Sequence, residues 1–111
     1  MTNGASLLAV EVEVKQTHPD TNVGKYWLLA EHRRYQHVVL LQVYTPGYNS
    51  YPWRKRLAEY YAIRMQRELP FEYHQLDLRT STSVDTAFSI CVEQMEAHVQ
   101  RVFPTSRPRV Q

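Results

Sequence analysis

From Leu8 to Lys15 apolar and polar residues alternate: Leu8, Val10, Val12 and Val14 share one face, and Glu11, Glu13 and Lys15 the other. That two-residue period predicts a β-strand over residues 7–15, with same-face neighbours roughly 7 Å apart. His18-Pro19-Asp20-Thr21-Asn22 reads as a turn in which Thr21 or Asn22 caps the element that follows. Residues 23–35 include Tyr26-Trp27-Leu28-Leu29, which would also suit a hairpin strand. The helix formers of Leu-Leu-Ala-Glu-His-Arg-Arg, with no two-residue turn signal after them, favour a helix. Residues 38–44 are apolar on both faces apart from Gln42, the pattern of a central strand in a parallel sheet, and Thr45-Pro46-Gly47 ends them.

A second helix is predicted to start near Pro52, with Trp53, Leu57, Tyr60, Tyr61 and Met65 at helical spacing until Pro70 forbids continuation. Residues 71–78 read as a third strand, bulged near Gln75, where the apolar alternation changes phase. Thr82 with Asp85 resembles a capping box. Val84, Phe88, Cys91, Val92, Met95, Val99 and Val102 then form the apolar stripe of a last helix, which Pro104 ends. The order β-α-β-α-β-α predicts an α/β fold: a small, mostly parallel sheet of three to four strands, flanked by three helices and joined by right-handed crossovers. Residues 1–103 are expected to form one domain and 104–111 a flexible basic tail. So few strands leave open edges, which predicts a homo-oligomer, a partner protein or a further strand.

Composition adds mainly exclusions. The 111 residues are 43% hydrophobic and 22% charged, ordinary for a globular domain, and a net charge of +2 is too small by itself to imply nucleic acid. The local clusters Arg33-Arg34, Arg54-Lys55-Arg56 and Arg107-Pro108-Arg109 matter more. Cys91 stands alone, so no intramolecular disulfide forms, and its apolar helical setting reads as a small buried hydrophobe. No run is long enough to span a bilayer and no signal-type segment opens the chain, so a cytoplasmic protein without membrane contact is expected. Three glycines leave no phosphate-cradling loop, which excludes nucleotide hydrolysis of the P-loop type.

Glu11, Glu13 and Lys15 are the first candidates for chemistry. Metal-assisted phosphodiester cleavage needs oxygen ligands for the ion, a water that the ion acidifies, and a cation near the scissile phosphate. At Glu13-Val14-Lys15 the chain resembles the PD-(D/E)xK nuclease-like superfamily, whose signature includes Glu-x-Lys on a core strand. The resemblance extends over residues 7–78, through strand, helix, buried strand and basic helix. It implies divalent-metal-dependent hydrolysis of DNA or RNA, with Glu11 and Glu13 holding Mg²⁺ or Mn²⁺ and Lys15 stabilising charge. The family's acidic residue on an earlier strand has no counterpart here, since none of the six residues before Leu7 is Asp or Glu. Glu11, or another chain, then has to supply it. The same face reads equally as the solvated side of an ordinary edge strand. In that case the chain is a catalytically inactive α/β module that binds a protein or nucleic-acid partner.

Tyr48, Tyr51, Arg54, Lys55 and Arg56 form the second candidate, a nucleic-acid-binding loop with Tyr44 and Trp53 interleaved. Aromatic faces stack on unpaired bases while cations neutralise phosphates. The loop follows the carboxyl end of the predicted central strand, where open α/β sheets bind ligands. In the competing reading Tyr44 and Trp53 are core, the tyrosines cover the loop and the cations form a solvated helix start. Three cations in a first helical turn oppose the macrodipole, which points to a bound anion or an acidic partner. His18, His32, His37, His74 and His98 show no paired metal-ligand spacing. His18 follows the acidic strand and Gln42 is the one polar residue of the buried strand; Gln42 reaches either toward that acidic face or to a neighbouring loop.

Overall fold

The computed structural model describes residues 1–2, 4–14, 18–32, 34–48, 52–81 and 83–104. The elements run β1 (Ser6–Glu13), α1 (Pro19–Glu31), β2 (His37–Tyr44), α2 (Pro52–Glu68), β3 (Phe71–Asp77) and α3 (Val84–Val102). All three strands are parallel in the order β1-β2-β3, so the α/β fold expected from the alternation is the one observed. Beyond an isolated bridge between Thr2 and Leu7, no further strand occurs among the described residues. None of the described helices is long and apolar enough to cross a membrane.

Parallel neighbours in this order, reached by same-handed crossovers, place α1 and α2 on one side of the sheet. Val23 and Ala30 of α1 and Ala58, Ala62 and Met65 of α2 bury themselves there against Val38, Leu40 and Phe71. The other side receives α3, whose Ala87, Ile90, Cys91 and Met95 pack on Leu41, Val43 and Leu76. The double burial explains why residues 38–44 of β2 are apolar on both faces apart from Gln42.

Local chemistry moved several boundaries. Helix α1 begins at Pro19, with His18 at the N-cap and no side-chain cap bond. Neither Thr21 nor Asn22 is the cap, and the Asn22 amide is bonded to Glu13 instead. Proline at the first helical position loses no hydrogen bond, which is why the helix can start that early. At α3 the Ser83 hydroxyl accepts from the Thr86 N–H at 3.0 Å, so the cap falls one residue after Thr82, which lies outside the described residues. Gly47 has φ +74 in the turn after β2, a conformation that favours glycine, and its N–H donates to the Arg79 carbonyl.

The expected bulge near Gln75 is absent: pairing runs unbroken from Val38↔Phe71 to Tyr44↔Asp77. The alternation changes phase because the two faces of β3 exchange character half-way along. Toward α2 it presents Phe71 and Tyr73, then Gln75 and Asp77; toward α3 it presents Glu72 and His74, then Leu76.

Two predicted stripes are also corrected. In α2 the buried positions are Ala58, Ala62 and Met65, while Trp53 and Tyr60 point outward. Ala58 and Ala62 let α2 approach closely, and that choice of face turns the large aromatics away. In α3, Val84 and Phe88 are 72% and 68% exposed, and with Val12, Val14 and Pro46 they border an open apolar groove. Phe88→Ser should therefore change the unfolding free energy by no more than about 0.5 kcal/mol, measured by urea denaturation. A loss of several times that would place Phe88 in the core.

Candidate functional site

The polar residues of the α1/α2 side collect at the carboxyl end of the sheet. Register sets Glu11, Gln42 and Gln75 in one row and Glu13, Tyr44 and Asp77 in the next. Paired residues of a parallel sheet share a face, so both rows lie beneath the first turns of α1 and α2. Glu13 is 0% exposed. The Asn22 amide donates to its two oxygens at 2.9 and 3.0 Å, and Gln42 Nε2 donates to Oε2 at 3.0 Å.

Gln42 thus reaches the acidic face of β1, and instead of a loop its second acceptor is the Pro19 carbonyl in the first turn of α1, at 3.1 Å from Nε2. Its amide cannot turn over without loss: Tyr73 donates its hydroxyl to Gln42 Oε1 at 2.7 Å, which keeps the NH₂ toward Glu13. From Tyr73 the chain of bonds continues through Gln75 to Glu59 and Lys55. Burial works against ionisation of Glu59, but hydrogen bonds from Lys55 and Gln75 outweigh it and hold the carboxyl below its usual range. Burial pushes the Tyr44 and Tyr73 hydroxyls well above their ordinary value, so neither gives up a proton near neutral pH.

Glu11 stands apart from this chain. It accepts from the Tyr26 hydroxyl at 2.8 Å and pairs with Lys25 Nζ at 2.5 Å. The two carboxylates of β1 therefore have separate protein partners, and neither belongs to a cluster of metal-ligating side chains among the described residues. Lys15 lies outside the described residues.

Of the predicted nucleic-acid-binding set, Tyr48 is buried with its ring edge-on to Tyr44, and Tyr51 lies outside the described residues. Arg54 pairs with Asp20 at 3.5 Å, and its guanidinium lies 4.1 Å from the Trp53 ring centroid. Lys55 pairs with Glu59 at 2.6 Å and approaches Asp77 at 4.0 Å. The acidic partners that the cation-rich helix start called for thus include residues of the same chain. Arg56 is exposed and forms no ion pair with a described residue. Asp20 Oδ1, Tyr44 Oη and Arg54 Nε are buried at this end of the sheet without a hydrogen-bond partner among the described residues.

Sequence spacing missed a second feature. The outward face of α2 carries Trp53, Arg56, Tyr60, Ile63 and Arg67 at spacings of three, four, three and four. All five are exposed, the apolar three by 52%, 56% and 48%. The aromatics were visible in the sequence, but their helical period reads as a core stripe.

A third feature sits on the opposite side of the sheet, toward its amino end. Glu72 and His74 alternate onto the α3 side of β3, and His98 and Arg101 face them from α3. The rings of His74 and His98 lie 4.3 Å apart, and Arg101 bonds the Glu72 carboxylate with both Nη atoms. Burial acts to raise the Glu72 carboxyl, yet hydrogen bonds from His74 and Arg101 prevail and bring it to about 2. Burial also lowers the His98 imidazole, helped by His74 and Arg101. The histidines look unpaired in sequence because the fold, not the spacing, joins them.

No protein-family model, curated protein or solved structure matches this chain.

Proposed function

We propose that this chain is a non-catalytic α/β module that binds single-stranded nucleic acid across the exposed face of α2. One observation carries the reading: Trp53, Arg56, Tyr60, Ile63 and Arg67 form a single outward stripe in which rings and cations alternate. Trp53 and Tyr60 are two turns apart, about 10 Å along the axis, and each presents a face on which a base can stack. Neither Arg56 nor Arg67 forms an ion-pair contact with a described residue, although Arg56 lies within electrostatic reach of Glu59, so both side chains can turn to phosphate. Exposed apolar side chains gathered along one helix face, rather than scattered singly, mark an interaction surface.

The metal-dependent nuclease reading is the weaker one. A Mg²⁺ or Mn²⁺ site on β1 needs open carboxylate oxygens, whereas both Glu13 oxygens accept amide protons in a buried setting. An amide NH₂ offers the ion no ligand in return.

The test is fluorescence anisotropy with a labelled single-stranded oligonucleotide, titrated at several salt concentrations. Trp53→Ala should weaken binding by about 1–3 kcal/mol, roughly 5- to 150-fold in Kd. Arg56→Ala should reduce the slope of log K against log salt by about 0.7. Absence of binding, or binding indifferent to both changes, sinks the proposal and leaves a protein partner for this face. Cleavage that requires Mg²⁺ or Mn²⁺ and disappears in Glu13→Gln would replace it with the nuclease reading.

A further inference from the structure

We propose that Glu72, His74 and His98 form a binding site for one divalent transition-metal ion of the zinc type, with Arg101 as a built-in competitor. The ligand atoms of the three residues all lie within 4.8 Å of one another. Tetrahedral coordination at about 2.0–2.1 Å places ligand atoms roughly 3.3 Å apart. Side-chain rotation covers the difference, because Glu72 and His74 are only partly buried. Two imidazole nitrogens with one carboxylate oxygen suit zinc, copper or nickel and are a poor match for magnesium or calcium, which prefer oxygen alone.

The position of Arg101 supplies the second argument. Its Nη2 bonds Glu72, lies 3.0 Å from His98 Nδ1 and 3.4 Å from His74 Nε2. A single positively charged group therefore already sits among the same three donors. Arg101 comes from the last turn of α3 and its side chain is 47% exposed, so it can leave toward solvent. His37 Nε2, 3.3 Å from Glu72 Oε1, is placed to orient the carboxylate or to complete the coordination. Three protein ligands beside solvent leave a position for water, the arrangement of an open rather than a closed zinc site.

Calorimetric titration of the purified chain with Zn²⁺, followed by Co²⁺ absorption spectroscopy, tests this. One equivalent of Zn²⁺ should bind, and Co²⁺ should give visible bands of a four- or five-coordinate site. Arg101→Met should tighten uptake by up to about fivefold, because the ion no longer has to break the half-exposed Arg101–Glu72 pair. His74→Asn should weaken it by more than about tenfold. His98 is more deeply buried, so a folding defect in His98→Asn is read separately by circular dichroism, and His74→Asn and Arg101→Met keep the test decisive. No stoichiometric uptake by either the natural chain or Arg101→Met overturns the site. Uptake unchanged in His74→Asn overturns it as well.

Discussion

Glu13→Ala should lower the free energy of unfolding by about 2–5 kcal/mol, because the buried carboxylate accepts three hydrogen bonds and each bond to a charged group is worth about 1.5–3 kcal/mol. Part of that total offsets the cost of holding the charge away from water, which keeps the expectation below the simple sum. Once the carboxylate is gone, the half-buried Asn22 amide loses the acceptor of both its bonds and Gln42 Nε2 keeps only the Pro19 carbonyl, and the truncated side chain leaves a void under α1. Glu11→Ala is the internal comparison. Its partner Lys25 is half exposed, and a pair of that kind contributes no more than about 1 kcal/mol. Urea denaturation of both variants should show a lower midpoint for Glu13→Ala with little change in slope. If that variant is as stable as the natural chain, or more so, the structural role fails. A carboxylate whose removal stabilises the fold is typical of a catalytic group held at a cost, and the nuclease reading would then regain its ground.

Residues 38–44 are apolar on both faces, and only a strand covered on both sides needs that, so the central parallel strand was legible. Pro52 and Pro70 bracketed α2 for reasons of backbone geometry alone. The environment of Glu13 was not legible. An alternating strand looks the same whether its polar face meets water or the first turn of a helix, and Asn22 has the chemistry of a cap as well as that of a donor to Glu13. Tertiary packing decided both. It decided the aromatics of α2 too, where two small alanines, and not Trp53, mark the buried side. The Glu72, His74 and His98 cluster is harder still, because β3 and α3 meet only once the sheet exists.

Gln42→Leu should cost about 2–4 kcal/mol, although it replaces a polar residue in a fully buried strand by an apolar one of similar size. Hydrophobic transfer alone predicts a gain. The balance is set instead by the groups the amide satisfies: the Glu13 carboxylate, the Pro19 carbonyl and the Tyr73 hydroxyl. Leucine leaves all three without this partner, and a buried group left unsatisfied costs about 1–3 kcal/mol. The loss should couple to Glu13, since each residue's contribution depends on the other. In a double-mutant cycle, Glu13→Ala with Gln42→Leu should be less destabilising than the two singles added together, by about 0.5–3 kcal/mol. Strict additivity would mean that the two side chains are satisfied independently, and the polar row beneath α1 would then not act as a unit. With coupling present, the amides of Gln42 and Asn22 hold the Glu13 side chain in place. A carboxyl group held by that many neutral donors anchors the start of α1 to the sheet.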